Sequence, residues 1–167
     1  MSVDLPVGWR RVDPTSADFA ALATKAGAAD PAIGQQLQQV AAAGLAERFR
    51  FYAVDRPAEQ ALGITSIMSV GPAGAMPGAA IADAIAAQLR KAGAADLARS
   101  ETTLLGVPAT VFRYRLETPG LQGASTDQGM FVFELDGQVH FASFSCMSAA
   151  TTCPVEGESM IRSARTP

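Results

Sequence analysis

Four arginines are the residues whose type and spacing best suit binding chemistry. Arg48 and Arg50 alternate along one strand-like run, and Arg113 and Arg115 along another, so each pair shares a strand face. If those strands lie side by side, four guanidinium groups form a patch fit for carboxylate or phosphate recognition. A solvated outer face, or an edge strand protected by charge, accounts for the same residues without a ligand. His140 is the only imidazole in the chain. Strand alternation sets Ser143 and Ser145 on the face opposite to it, and Cys146 lies six residues along, roughly 20 Å away at a strand's rise. No G-x-S-x-G elbow occurs. The expected place for His140 is therefore in a sheet, packed beside Phe133.

Cys146 and Cys153 are the only cysteines, separated by Met-Ser-Ala-Ala-Thr-Thr. Two thiols and one imidazole cannot build a structural zinc site, and the spacing is not that of a C-x-x-C redox pair. A disulfide closing this short loop and a pair of reduced thiols are both open readings. The carboxylates Glu101, Glu117, Asp127, Glu134 and Asp136 show no paired spacing for acid–base work or a hard cation. Gly71-Pro72-Ala73-Gly74-Ala75-Met76-Pro77-Gly78 lies between a strand and a helix. It lacks every phosphate-loop pattern, and its two prolines remove donors such a loop needs. No metal and no cofactor are implied.

The elements that must carry these residues are legible in part. The chain has 167 residues, 49% hydrophobic and 17% charged, with a net charge of −3. That is long enough for a real core and excludes the disordered class. An acidic balance disfavours nucleic acid as a partner. No run of about 18 apolar residues suggests a membrane span. The opening Met1-Ser2-Val3-Asp4-Leu5-Pro6 has no secretory-signal pattern, so the chain as written reads as cytoplasmic. A secreted or cell-envelope location follows instead if a leader precedes it.

Trp9 to Val12 reads as a short strand. Thr15 to Asp18 has capping-box form and opens a helix carrying Phe19 and Leu22. A second helix starts at Asp30-Pro31 and buries Ile33, Leu37 and Val40. Phe49, Phe51 and Ala53 then alternate with Arg48, Arg50 and Tyr52, and Gly63 to Val70 forms the next strand. Ile81, Ile85 and Leu89 stack on one face of a third helix, which Gly93 ends. Ser100–Leu105 and Ala109–Leu116 are strands joined through Gly106-Val107-Pro108. Residues from Thr118 to Gln128 form a polar loop.

Asp136-Gly137 marks a type I′ hairpin. Its register sets Leu135 opposite Gln138, Phe133 opposite His140 and Phe131 opposite Ala142. Both faces of that hairpin are mostly apolar, which places it inside a sheet covered above and below. A last helix runs from Pro154 to Arg165. The fold class is α+β, one domain over 1–167, with a mostly antiparallel sheet between helical layers.

The opening Leu5-Pro6-Val7-Gly8-Trp9, the Asp136-Gly137 hairpin and the closing Met160-Ile161-Arg162-Ser163-Ala164, in this order of elements, resemble the PsbP-like α/β/α sandwich superfamily. That group includes extrinsic subunits of the photosynthetic oxygen-evolving complex, a Ran-binding import factor and small actinobacterial proteins. The resemblance implies a mostly non-catalytic protein and transfers no site residues. The expected function is a non-catalytic accessory module that docks on a protein partner. The alternatives are a carrier of a small anionic ligand, and an enzyme of unrecognised type using His140 or Cys146.

Overall fold

The Asp136-Gly137 turn organises the molecule. Both residues take positive φ, 52° and 70°, as a type I′ turn requires. They join two strands that are sixth and seventh in the chain, β6 (Ser125–Leu135) and β7 (Gln138–Met147). Leu135 stands opposite Gln138, Phe133 opposite His140 and Phe131 opposite Ala142, the register the turn dictates. In this computed structural model the described residues are 1–17, 19, 21, 24, 46–55, 63–74, 78–117, 125–147 and 152–166.

The other strands are β1 (Trp9–Arg11), β2 (Phe49–Asp55), β3 (Gly63–Pro72), β4 (Ala95–Leu104) and β5 (Val107–Glu117). They form one sheet in the order β1-β2-β3-β7-β6-β5-β4. Every pairing is antiparallel. Helix α1 (Gly78–Lys91) lies on one face and helix α2 (Cys153–Arg162) on the other. A short 3₁₀ turn at Ala46–Arg48 leads into β2. The fold is thus α+β, with the sheet between helices.

Alternation supplies each helix with its own core. Phe51, Ile67, Val111, Phe131, Ala142 and Phe144 pack with Met160 and Ile161 of α2. On the opposite face Phe112, Tyr114 and Val132 pack with Ala82 and Ala86 of α1. Ile81, Ile85 and Leu89 flank that contact half-buried, so the α1 face is centred on small alanines. Gly93, with φ 85°, ends α1; the Gly93 and Ala94 N–H groups donate to the Arg90 and Leu89 carbonyls, a Schellman close.

Three expectations about the strands are corrected. Phe49 pairs with Met68 while Phe51 pairs with Ile67, so Arg50 is an extra residue in a bulge. A one-residue slip exchanges faces, and Phe49 therefore meets Tyr52 edge-on at 5.4 Å instead of sharing the Phe51 face. The β4–β5 turn is Leu105-Gly106, both at positive φ, one residue earlier than the Gly-Val-Pro reading. Strand β6 begins at Ser125, so Thr126 to Gln128 are paired strand and not loop.

The first helix is capped by Ser16, whose Oγ accepts from the Phe19 N–H at 3.2 Å. Thr15 instead donates to Asp13. Leu22 and the second helix, 31–45, lie outside the described residues.

Candidate functional site

The sheet order separates the four arginines into two pairs. Strands β3, β7 and β6 lie between β2 and β5, so Arg48 and Arg50 stand four strand spacings, roughly 19 Å, from Arg113 and Arg115. Arg113 makes a bidentate pair with Glu158 of α2, its Nη2 at 2.8 and 2.9 Å from the two carboxylate oxygens. Arg162 donates to the same carboxylate at 2.9 Å. Arg115 lies 3.2 Å from Asp127 and 3.3 Å from Asp96. These two cations face carboxylates of the protein itself, and Arg113 joins β5 to α2.

Arg48 and Arg50 have a different environment. Arg48 Nη1 donates to the Val70 carbonyl at 3.2 Å, and Arg50 Nε donates to Ser69 Oγ at 3.1 Å. Both acceptors are neutral. Nearby, Arg11 of β1 lies over the Phe51 ring at 5.9 Å. Arg11 and Arg50 line one recess of about 290 Å³ at the β1–β2 edge, with Asp13, Phe49 and Tyr52. Asp13 already accepts the Thr15 N–H and hydroxyl at 2.9 and 2.7 Å. Those bonds, with the nearby charge of Arg11, hold its carboxyl below the usual range. The recess thus offers two guanidinium groups against one carboxylate that is already hydrogen-bonded. Sequence reasoning missed Arg11. Its signal was alternation from Trp9, usable only once β1 is known to pair with β2.

His140 is buried and stacks on Phe133 at 5.3 Å and 17°. Its Nδ1 lies 3.3 Å from Ser69 Oγ, which makes a line Arg50–Ser69–His140. Burial pushes the imidazole below its usual value, and the charge of Arg50 adds to that; a backbone hydrogen bond at Leu135 and the charge of Asp136 oppose it. The imidazole is therefore neutral at pH 7 and fixed in the sheet. Ser143 pairs its hydroxyl with Ser66 at 3.1 Å, on the opposite face.

Cys146 and Cys153 form a disulfide that ties the end of β7 to the first turn of α2. Trp9 packs in the same cluster, and its Nε1 donates to Glu156 at 2.9 Å. Gly63 makes room there, since a Cβ would collide with the Cys153 sulfur. A second cavity, about 230 Å³, opens beside Ala73, Gly78 and Ala79 at the start of α1, with Glu101 and Glu134 in its lining. Among the described residues no group of His, Cys, Asp and Glu could hold a metal ion. No helix of the described residues is long and apolar enough to cross a membrane.

No protein-family model matches the chain, and no curated protein is similar to it in sequence. Two of the solved structures that resemble the chain do so distantly. PA94 of Pseudomonas aeruginosa, a protein of unknown function proposed to be a regulator, is 19% identical with a TM-score of 0.45; the match covers 63% of this chain and 74% of that one. LpqN, involved in cell envelope biogenesis of Mycobacterium tuberculosis, is 11% identical with a TM-score of 0.45; the match covers 98% of this chain and 80% of that one.

Proposed function

We propose that the protein is a non-catalytic binder of a small anionic ligand, held at the β1–β2 edge by Arg11 and Arg50. The observation that carries this reading is the recess itself. Arg50 donates to the neutral Ser69 hydroxyl and Arg11 stacks on Phe51, leaving donors free for a carboxylate or phosphate. The exposed setting means millimolar-range affinity that weakens with salt.

The test is a titration of isotope-labelled protein with inorganic phosphate and with citrate at low ionic strength, followed by NMR. Amide shifts should centre on Arg11, Arg50 and Phe51. The Arg11→Gln/Arg50→Gln variant should lose about fivefold or more in affinity, while Arg113→Gln should not. Equal affinity in the double variant sinks the reading.

The disulfide supports an oxidising compartment, hence a secreted or cell-envelope setting. The order of elements supports a PsbP-like membership, which transfers no site. A second reading, docking on a protein, draws on the exposed apolar residues Leu5, Val7 and Val155, the last two at 101% and 72% exposure. Val7 precedes Trp9 by two residues and Val155 adjoins Glu156, the two residues joined by the indole hydrogen bond.

A further inference from the structure

The cavity at the start of α1 has the opposite chemistry from the arginine recess, and this inference goes beyond the anion-binding one. We propose that it is a second binding site, for a small organic cation with an apolar body, such as a primary amine. Its walls are Val132 and Val139 of the sheet with Ile81 of α1, and the small Gly78 and Ala79 leave the space above them open. At about 230 Å³ it lies below the roughly 300–1,000 Å³ of drug-sized sites, so the occupant is small.

The register places two carboxylates across this space. Glu101 on β4 is opposite Thr110 on β5, and Thr110 is opposite Val132 on β6. Glu134, two residues past Val132, points to the same face. The two glutamates therefore stand two strands apart and two residues offset, roughly 12 Å between backbones, with Thr110 of β5 between them and Val132 and Val139 beside Glu134. Glu134 is exposed, and its carboxylate has no hydrogen bond or ion pair among the described residues. Glu101 accepts only the Thr110 hydroxyl at 3.1 Å as a close partner. Arg99 stays 3.7 Å from it, drawn 2.6 Å onto Asp83 instead.

The charge balance selects the class of ligand. The N-terminus of α1 contributes about half a positive charge and Arg99, shared between Asp83 and Glu101, offsets part of the Glu101 charge, which leaves Glu134 as the uncompensated negative charge. An anion is repelled. A bare metal ion finds no group of three or more His, Cys, Asp or Glu ligands here among the described residues. The apolar floor rewards carbon, so an ammonium group on a short hydrocarbon body satisfies both parts of the lining.

The experiment compares 2-phenylethylamine, neutral 2-phenylethanol and anionic 3-phenylpropionate at pH 7, by calorimetry and by amide shifts, with thermal melting as the folding control for every variant. The amine should bind about tenfold more tightly than the alcohol, from its charge interaction with the two carboxylates. Glu134→Gln, at an exposed position without partners, should remove most of that difference without changing alcohol binding; Glu101→Gln should act in the same direction. Ala79→Trp should exclude both ligands. If amine and alcohol bind equally, or the glutamine variants leave amine affinity unchanged, the cation class is overturned. If none of the three binds wild type at the cavity, the site is overturned altogether. Either result is independent of phosphate binding at Arg11 and Arg50, which stands or falls on its own variants.

Discussion

At Gly157 helix α2 touches the sheet. A Cβ there would stand 2.7 Å from the Cβ of Phe144 and 3.3 Å from Thr65 Oγ1. Alanine would add about 1 kcal/mol of helix propensity, but the overlap is with a Cβ fixed to a central strand, and overpacking of that kind costs about 1–3 kcal/mol. The overlap should win: Gly157→Ala is expected to lower the midpoint of urea unfolding, and an unchanged or raised midpoint would show that α2 can lift freely. No sequence pattern marked this glycine, because its meaning depends on a phenylalanine thirteen positions earlier on another element. The stacking of His140 on Phe133 was legible, since it follows from the turn register alone. The ion pairs of Arg113 and Arg115 were not: Glu158, Asp127 and Asp96 come from three different elements, and spacing along one strand says nothing about them.

Helix α2 is fastened at three points, by the Cys146–Cys153 disulfide, by the Trp9–Glu156 hydrogen bond and by the bidentate Arg113–Glu158 pair. These differ in weight. The surface ion pair contributes about 0–1 kcal/mol, while a cross-link closing so short a loop restrains the unfolded chain by about 2–3 kcal/mol. Cys146→Ser/Cys153→Ser should therefore destabilise the protein by about that amount, read from urea unfolding followed by the emission of the single tryptophan, Trp9, which shares the disulfide's cluster. A loss no larger than that of Arg113→Gln would demote the disulfide to a minor fastening. Of the elements, the Asp136-Gly137 hairpin and helices α1 and α2 were legible from turn chemistry and periodicity. The β2 bulge at Arg50 was not, because nothing in alternating Phe and Arg shows where a strand gains a residue. Yet that residue is Arg50 itself, which lines the recess.

On the scale of the molecule, the expectation of a sheet covered on both faces followed from one hairpin apolar on both sides, whereas the sites needed the strand order. The whole fold should respond to acid in two steps. Burial lowers His140, so the unfolded chain takes up its proton first; stability is full above the ordinary imidazole value of 6.5 and falls as pH drops through the folded value. Burial alone would raise Glu158, but hydrogen bonds from Arg113 and Arg162 outweigh it and hold the carboxyl low. Its contribution is present above 4.5 and is lost as pH falls through the lowered folded value. Thermal melting across pH 3 to 8 checks this, with His140→Phe expected to remove the upper step and Glu158→Gln the lower; a single step unaffected by His140→Phe would refute the assignment.

The strand order also sets a timetable. All but one of the neighbouring pairs in the sheet are consecutive in the chain, and the exception is β3 beside β7. On a ribosome, β1, β2 and β3 emerge early and can pair among themselves. The far side of β3, with Ile64 and Ile67, then waits unpartnered while α1, β4, β5 and β6 are made, and closes only when β7 arrives. Synthesis thus leaves an open seam through the middle of the sheet until residue 147 is free, and the α2 cross-link seals it last.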